Sequence, residues 1–253
     1  MFDKRDRVRF MLWVCLVACL CSAGAFSCEP EFYFLMRDEA RSKLRELQAG
    51  NPDRSLFQQF VLMHNLAFHK DRKMRERAEA LFEDKFQDSL ATPIFRAYAG
   101  SLLMIRVSQR SKGSSLLRVL NPLTPAPHAE ARVGYRKISE AVAADSTNPT
   151  LRLLRATAAT ESADHLPELC DSARVDLEWL SAWVSETDSV ALFLVELNWA
   201  KYYYRLAVLE NRTEFRREAL AFAERARSVA CTPVYRELLG EWRQRILALS
   251  NQD

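Results

Sequence analysis

The stretch NWAKYYYRLAVLENRTEFRREALAFAERARSVA, residues 198–230, decides how the chain folds. Two runs of helical periodicity meet at Asn211-Arg212. Small residues stand where the runs would face each other: Ala207 near the end of the first, and Ala219, Ala223 and Ala226 along the second. The second set recurs every three or four residues, which is the spacing of one helix face. Small side chains on both sides of a crossing let two helix backbones approach closely, so the stretch predicts an antiparallel pair over 189–210 and 213–230. Asn211-Arg212-Thr213 also fits a glycosylation sequon, but a turn with Thr213 as the cap of the second helix suits its neighbours better.

Outward from this pair, the nine prolines mark the ends of elements. Toward the N-terminus the helical runs are 150–160 and 167–185, then 128–144, and a helix opened by the cap and first-turn pair Thr92-Pro93. Before them lie a segment from Pro30 to the stop Gly50-Asn51-Pro52, a helix capped by Asp53 with Leu56, Phe57, Phe60 and Val61 on its apolar side, and a third with Met74, Ala78, Leu81 and Phe82. A last helix covers 233–249. Residues 108–127, with Lys112-Gly113-Ser114-Ser115 and three closely spaced prolines, predict a surface loop with one short helix at 116–120. No run alternates with period two between turn signals, so the fold class is all-α.

The chain has 253 residues, 49% of them hydrophobic, with only six glycines, a composition for one sizeable core and few turns. Lys and Arg number 36 against 33 acidic residues; Lys4, Arg5, Arg7 and Arg9 face only Asp3 and Asp6, so beyond residue 10 the count is 32 against 31. A domain so near neutrality lacks the basic surplus that displaces counterions from phosphates, and nucleic acid is set aside as a partner.

Residues 1–28 read as a targeting segment. A basic start precedes 19 uncharged residues from Phe10 to Cys28, an order of basic, apolar and small residues typical of secretory signals. Three readings are open. Ala23-Gly24-Ala25 offers a cleavage site before Phe26. Leu16-Val17-Ala18-Cys19 resembles the bacterial lipobox and would make Cys19 the lipidated N-terminus; Ala25-Phe26-Ser27-Cys28 is a poorer version with Cys28. An uncleaved anchor is the third, since the run nears the ~20 residues that span a bilayer. All three put residues 29–253 outside the cytoplasm, on the periplasmic side of an inner membrane in the cell envelope. There, Cys170 and Cys231 could form a disulfide or remain two small buried residues.

The pair at 189–230 resembles a tetratricopeptide repeat. Tyr203, Leu206 and Ala207 fall at its large, aliphatic and small helix-A spacings, and Ala219, Ala223 and Ala226 at its helix-B spacings. Glu210 replaces an expected aromatic, and the repeat's proline arrives late at Pro233. Gly134, Ile138, Ala141, Asp145 and Asn148 resemble the helix-B ending and turn of the same family, with Ser146 in place of proline and the partner helix displaced by the loop. Ala97–Ser101 with Asn148–Arg155 also resembles a family of bacterial envelope helical-repeat proteins. These resemblances imply helix pairs stacked as a superhelix, and they import no activity. A non-repetitive bundle also accommodates alanine-spaced pairs, and the stack is the expectation.

Such a stack binds along its concave face. Trp199, Tyr202 and Tyr204, with the cations Arg152 and Arg155, are the candidates for a partner or ligand groove. Trp179 and Trp183 share one helix face and read as core. His64 and His69, five apart, point about 140° from each other and read as surface or helix-end residues rather than metal ligands. His128 and His165 are isolated, no zinc spacing of cysteines occurs, and neither a nucleophile elbow nor a phosphate-cradling glycine loop is present, so no metal, cofactor or catalytic residue is assigned. Asp171, Asp176, Glu83 and Asp84 read as solvated helix faces. The expected role is a protein-interaction or scaffolding module held at the membrane through its N-terminus. A ligand-binding accessory of a transport system is the alternative, and an envelope enzyme the third.

Overall fold

A computed structural model describes residues 37–50, 56–68, 71–111, 127–162, 166–184, 189–230 and 233–249. Ten α-helices and two short 3-10 turns fill them, and no strand occurs among the described residues. The helices are α1 (Arg37–Ala49), α2 (Leu56–Phe68), α3 (Arg72–Lys85), α4 (Pro93–Ser111), α5 (Pro127–Ala144), α6 (Pro149–Ser162), α7 (Cys170–Trp183), α8 (Ser189–Glu210), α9 (Thr213–Val229) and α10 (Pro233–Ala248).

The chain's own punctuation sets the ends. Pro93, Pro127, Pro149 and Pro233 each begin a helix, where a missing N–H costs nothing and φ is already helical. The turn before α6 is fastened by side chains: Asn148 Nδ2 donates to Asp145 Oδ2 at 3.1 Å, and Asn148 Oδ1 accepts from the N–H groups of Thr150 and Leu151 at 3.1 and 3.4 Å. Asp71 caps α3 by accepting from Met74 N at 3.2 Å. The expected cap at Thr213 does not form: Thr213 is the first helical residue, and Arg212 before it makes no side-chain cap bond. The reversal is made by Asn211 instead, at φ 49°, a left-handed backbone that asparagine tolerates.

Helix pairs α4/α5, α6/α7 and α8/α9 form the most extensive interfaces. They are antiparallel. Arg106 near the end of α4 meets Glu130 near the start of α5, and Glu196 early in α8 meets Arg225 late in α9. Helices α4 and α5 come together at Gly100 and Gly134, where a Cβ on either would stand 2.4 or 2.6 Å from the other's carbonyl oxygen. Ala219, Ala223 and Ala226 are all fully buried against α8.

Beyond the pairs, the even-numbered helices α2, α4, α6, α8 and α10 each touch the next even one, whereas consecutive odd helices meet only marginally. The even neighbours run parallel: His64 bonds Ser101 and Ala67 bonds Gln109 from α2 to α4, while Thr157 bonds Asn198 and Glu161 bonds Lys201 from α6 to α8. This is a two-layered stack of helix pairs, the architecture of a tetratricopeptide-like superhelix. The even helices form the inner layer. Helix α10 exposes Arg236, Glu237, Glu241 and Gln244, with Leu247 beside them.

Candidate functional site

The longest helix, α8, distributes its aromatic side chains among different neighbours. Trp199 stacks on Tyr203 and on Phe222 of α9, with centroids 5.7 and 5.4 Å apart, and its Nε1 donates to Ser181 Oγ of α7 at 2.9 Å. Tyr202 meets Trp199 edge-on at 5.5 Å, and burial pushes its hydroxyl up to about 12. These residues occupy the joints of α8 with α7 and α9. Tyr204 points the other way, edge-on to Trp242 of α10 at 5.6 Å. Trp199, Tyr202 and Tyr204 therefore do not line one groove.

Arg152 and Arg155 belong to another joint. Arg155 grips Asp176 of α7 with two bonds, Nε to Oδ2 at 2.6 Å and Nη2 to Oδ1 at 2.7 Å, and Arg152 Nη1 adds a third at 3.0 Å. Arg152 also donates Nε to the Ser146 carbonyl at 2.7 Å and lies 4.6 Å over the Trp179 ring. Asp176 is fully buried, which corrects the reading of it as part of a solvated face. Burial raises the Asp176 carboxyl above its ordinary value, and the two guanidiniums pull against that shift. Counted back from Ala156, Arg152 and Arg155 hold the positions that Tyr203 and Leu206 hold before Ala207. Charge joins α6 to α7 where apolar contact joins α8 to α9.

The cluster that the fold does assemble lies on the inner layer between α6, α8 and α10. Lys201, 2% exposed, holds Glu161 at 2.6 Å and places its ammonium 5.1 Å from the Trp242 ring. Arg205, also buried, donates Nε to the Thr160 carbonyl at 3.0 Å and sits between the rings of Tyr204 and Trp242 at 5.4 and 5.7 Å. Arg245 covers the same indole at 4.7 Å from the exposed side. Burial opposes ionisation of Glu161, but Lys201, with Arg205 and Arg245 farther off, holds its carboxyl below the ordinary value. Beside it, Thr157 and Thr160 each donate to Asn198 Oδ1 at 3.3 Å, and Asn198 Nδ2 donates to the Leu194 carbonyl. Three cations surround one indole, and one of them, Lys201, holds a carboxylate. Such a cluster stabilises the joint and gives its open edge, at Arg245, a positive character.

Sequence reasoning missed Lys201 and Arg205. Their signal was there: Asn198, Lys201 and Arg205, spaced three and four apart, draw one polar stripe along an otherwise apolar helix. His64 was misplaced as a surface residue. It is 5% exposed at the α2/α4 joint, its Nε2 2.8 Å from Ser101 Oγ, and burial drives the imidazole down to about 3. Trp179 and Trp183 stack at 6.2 Å, but Trp183 is exposed rather than core. Cys170 is buried at the start of α7; Cys231, Cys19, Cys28 and His69 lie outside the described residues.

A hollow of about 320 Å³ opens at the α8–α9 turn, lined by Ala207, Val208, Asn211, Arg212, Thr213, Arg216 and Leu249. Exposed Leu209 and Leu247 belong to the same ends of α8 and α10. Among the described residues no group of three or more side chains could hold a metal ion, and no helix is long and apolar enough to cross a membrane. No protein-family model matches the chain, and neither a curated protein nor a solved structure matches it.

Proposed function

We propose that the chain is an exported helical-repeat scaffold that holds a protein partner at the outer face of an inner membrane. The observation that carries this reading is the parallel row of even helices, which makes one extended inner layer out of short elements. The polar groups of that layer are engaged with one another, as in Lys201–Glu161 and Thr157–Asn198, so they join repeats and keep them in register. The surface best suited to a partner is the α8–α9 turn. There Val208 and Leu209 are exposed beside a hollow containing Arg212 and Arg216, a mixture of apolar and cationic groups common in interfaces. The uncharged run 10–28 supports export and attachment to the membrane, through a cut at Ala25, lipid on Cys19 or Cys28, or an intact anchor. The hollow also supports a second reading, a ligand-binding accessory of a transport system.

Photo-crosslinking tests the choice. A crosslinking residue at Val208 or Leu209 of the full-length, membrane-associated chain is expected to capture one recurring protein that the same residue at Arg236 does not. Equal background at all three sites would end the scaffold reading for this surface, and recurrent capture of one transporter subunit would favour the second. A C-terminal alkaline phosphatase fusion is expected to be active, and intact mass separates the three forms of the N-terminus.

A further inference from the structure

The apolar side chains divide into two cores. One gathers Ala40 and Leu44 of α1, Phe60 and Leu66 of α2 and Phe82 of α3 against Tyr98 and Leu102 of α4. The other runs from Ala97 and Met104 on a different side of α4 through to Ile246 of α10. Among the described residues, only α4 contributes buried side chains to both. Among the described residues, α1–α3 therefore join the rest of the stack chiefly through one side of α4, on which α2 and α3 are seated.

His64 lies in the middle of that seat. Its Nε2 and Ser101 Oγ are 2.8 Å apart, both residues are buried, and the ring stands edge-on to Tyr98 at 4.9 Å and tilted against Phe60 at 6.5 Å. Charged groups of the surrounding helices pair with one another. Arg41 of α1 pairs with Asp71, Arg75 of α3 with Glu76, and Arg106 of α4 with Glu79 and Glu130. Burial is what depresses the imidazole. An imidazolium at this seat would be a buried cation whose one described partner is a hydroxyl.

We propose that His64 is an acid-sensitive latch: its protonation releases α1–α3 as a unit from α4 and uncovers the Tyr98–Leu102 face, while α5–α10 keep their packing. The sign follows from linkage. The group is neutral in the folded seat and protonates more readily in the open form, so the seat is at full strength above the unfolded value of 6.5. It weakens as pH falls toward about 3. In the middle of that window the opening equilibrium grows about tenfold per pH unit, and less steeply near either end.

Hydrogen–deuterium exchange with mass spectrometry on the full chain, corrected for intrinsic rates, reads the opening helix by helix. Between pH 6.5 and 5, protection over 56–68 and 72–85 is expected to fall about 16-fold relative to that over 189–229. His64→Gln, which places an amide nitrogen near the position of Nε2 and does not titrate, is expected to remove this pH dependence. An equal fall in both regions, or an unchanged slope in the variant, would overturn the proposal. An NMR titration of the His64 ring in the wild-type chain decides independently of the variant. A midpoint near 6.5 with α2 still protected would also overturn it.

Discussion

Gly100 and Gly134 show how far a single atom can matter in this stack. A Cβ on Gly100 would lie 2.4 Å from the Gly134 carbonyl oxygen and 2.9 Å from Ile138 Cγ1, so the backbones of α4 and α5 would have to separate. Gly100→Ala and Gly134→Ala are each expected to lower the unfolding free energy by about 1–3 kcal/mol, the usual range for overpacking, despite alanine's better helix propensity. Gly240 supplies the control. It also lies inside a helix, but nothing is within 4 Å of its Cβ position, so Gly240→Ala is expected to add about 0.5–1 kcal/mol. Urea titrations of the three variants check both signs. A stable Gly100→Ala chain would mean that the crossing can relax.

At the scale of elements, α6 and α8 solve one packing problem in two ways. Tyr203 of α8 lays its ring on Phe222 of α9 at 5.3 Å, and the corresponding position of α6 sends Arg152 to a carboxylate. Asp176→Ala leaves two mostly buried guanidiniums facing an apolar gap and is expected to cost about 3 kcal/mol. Replacing Arg152, Arg155 and Asp176 together by Met, Leu and Leu is expected to recover most of that loss, since an apolar joint avoids desolvating charge. Thermal melts of the single and triple variants measure the difference; a triple variant no better than Asp176→Ala would show that the ions have no apolar substitute. This joint also marks where sequence stops being legible. Helix ends could be read because Pro93, Pro149, Pro233 and the Asp145–Asn148 turn act on their immediate neighbours. The alanines of α9 could be read because their periodicity defines a face. Asp176 and His64 could not: periodicity gives the angle at which a side chain leaves its helix, and burial depends on which distant segment stands opposite. For Asp176 that segment lies 21 residues upstream, and for His64 it lies 37 residues downstream. The divergence of Trp199 and Tyr204 is a matter of angle alone: five residues apart on one helix, they turn to α9 and α10.

For the whole molecule, the consequence of two cores sharing α4 is that cooperativity need not extend along the stack. Repeat arrays couple mainly through neighbouring interfaces, and the contact between α3 and α4 is among the smaller ones between consecutive helices. The chain's tryptophans are placed to reveal this. Apart from Trp13 they are Trp179, Trp183, Trp199 and Trp242, all on α7, α8 and α10, whereas far-UV circular dichroism counts every helix, α1–α3 included. Urea unfolding at pH 7 is therefore expected to give a circular-dichroism transition that begins at lower denaturant than the tryptophan emission shift, a failure of the two-state test. Lowering the pH to 5 should widen the gap, because the seat at His64 weakens while the joints of α7–α10 contain no histidine among the described residues. Superimposable transitions by both probes at both pH values would mean that α4 transmits unfolding from one core to the other. The stack would then be one cooperative body despite its divided interior.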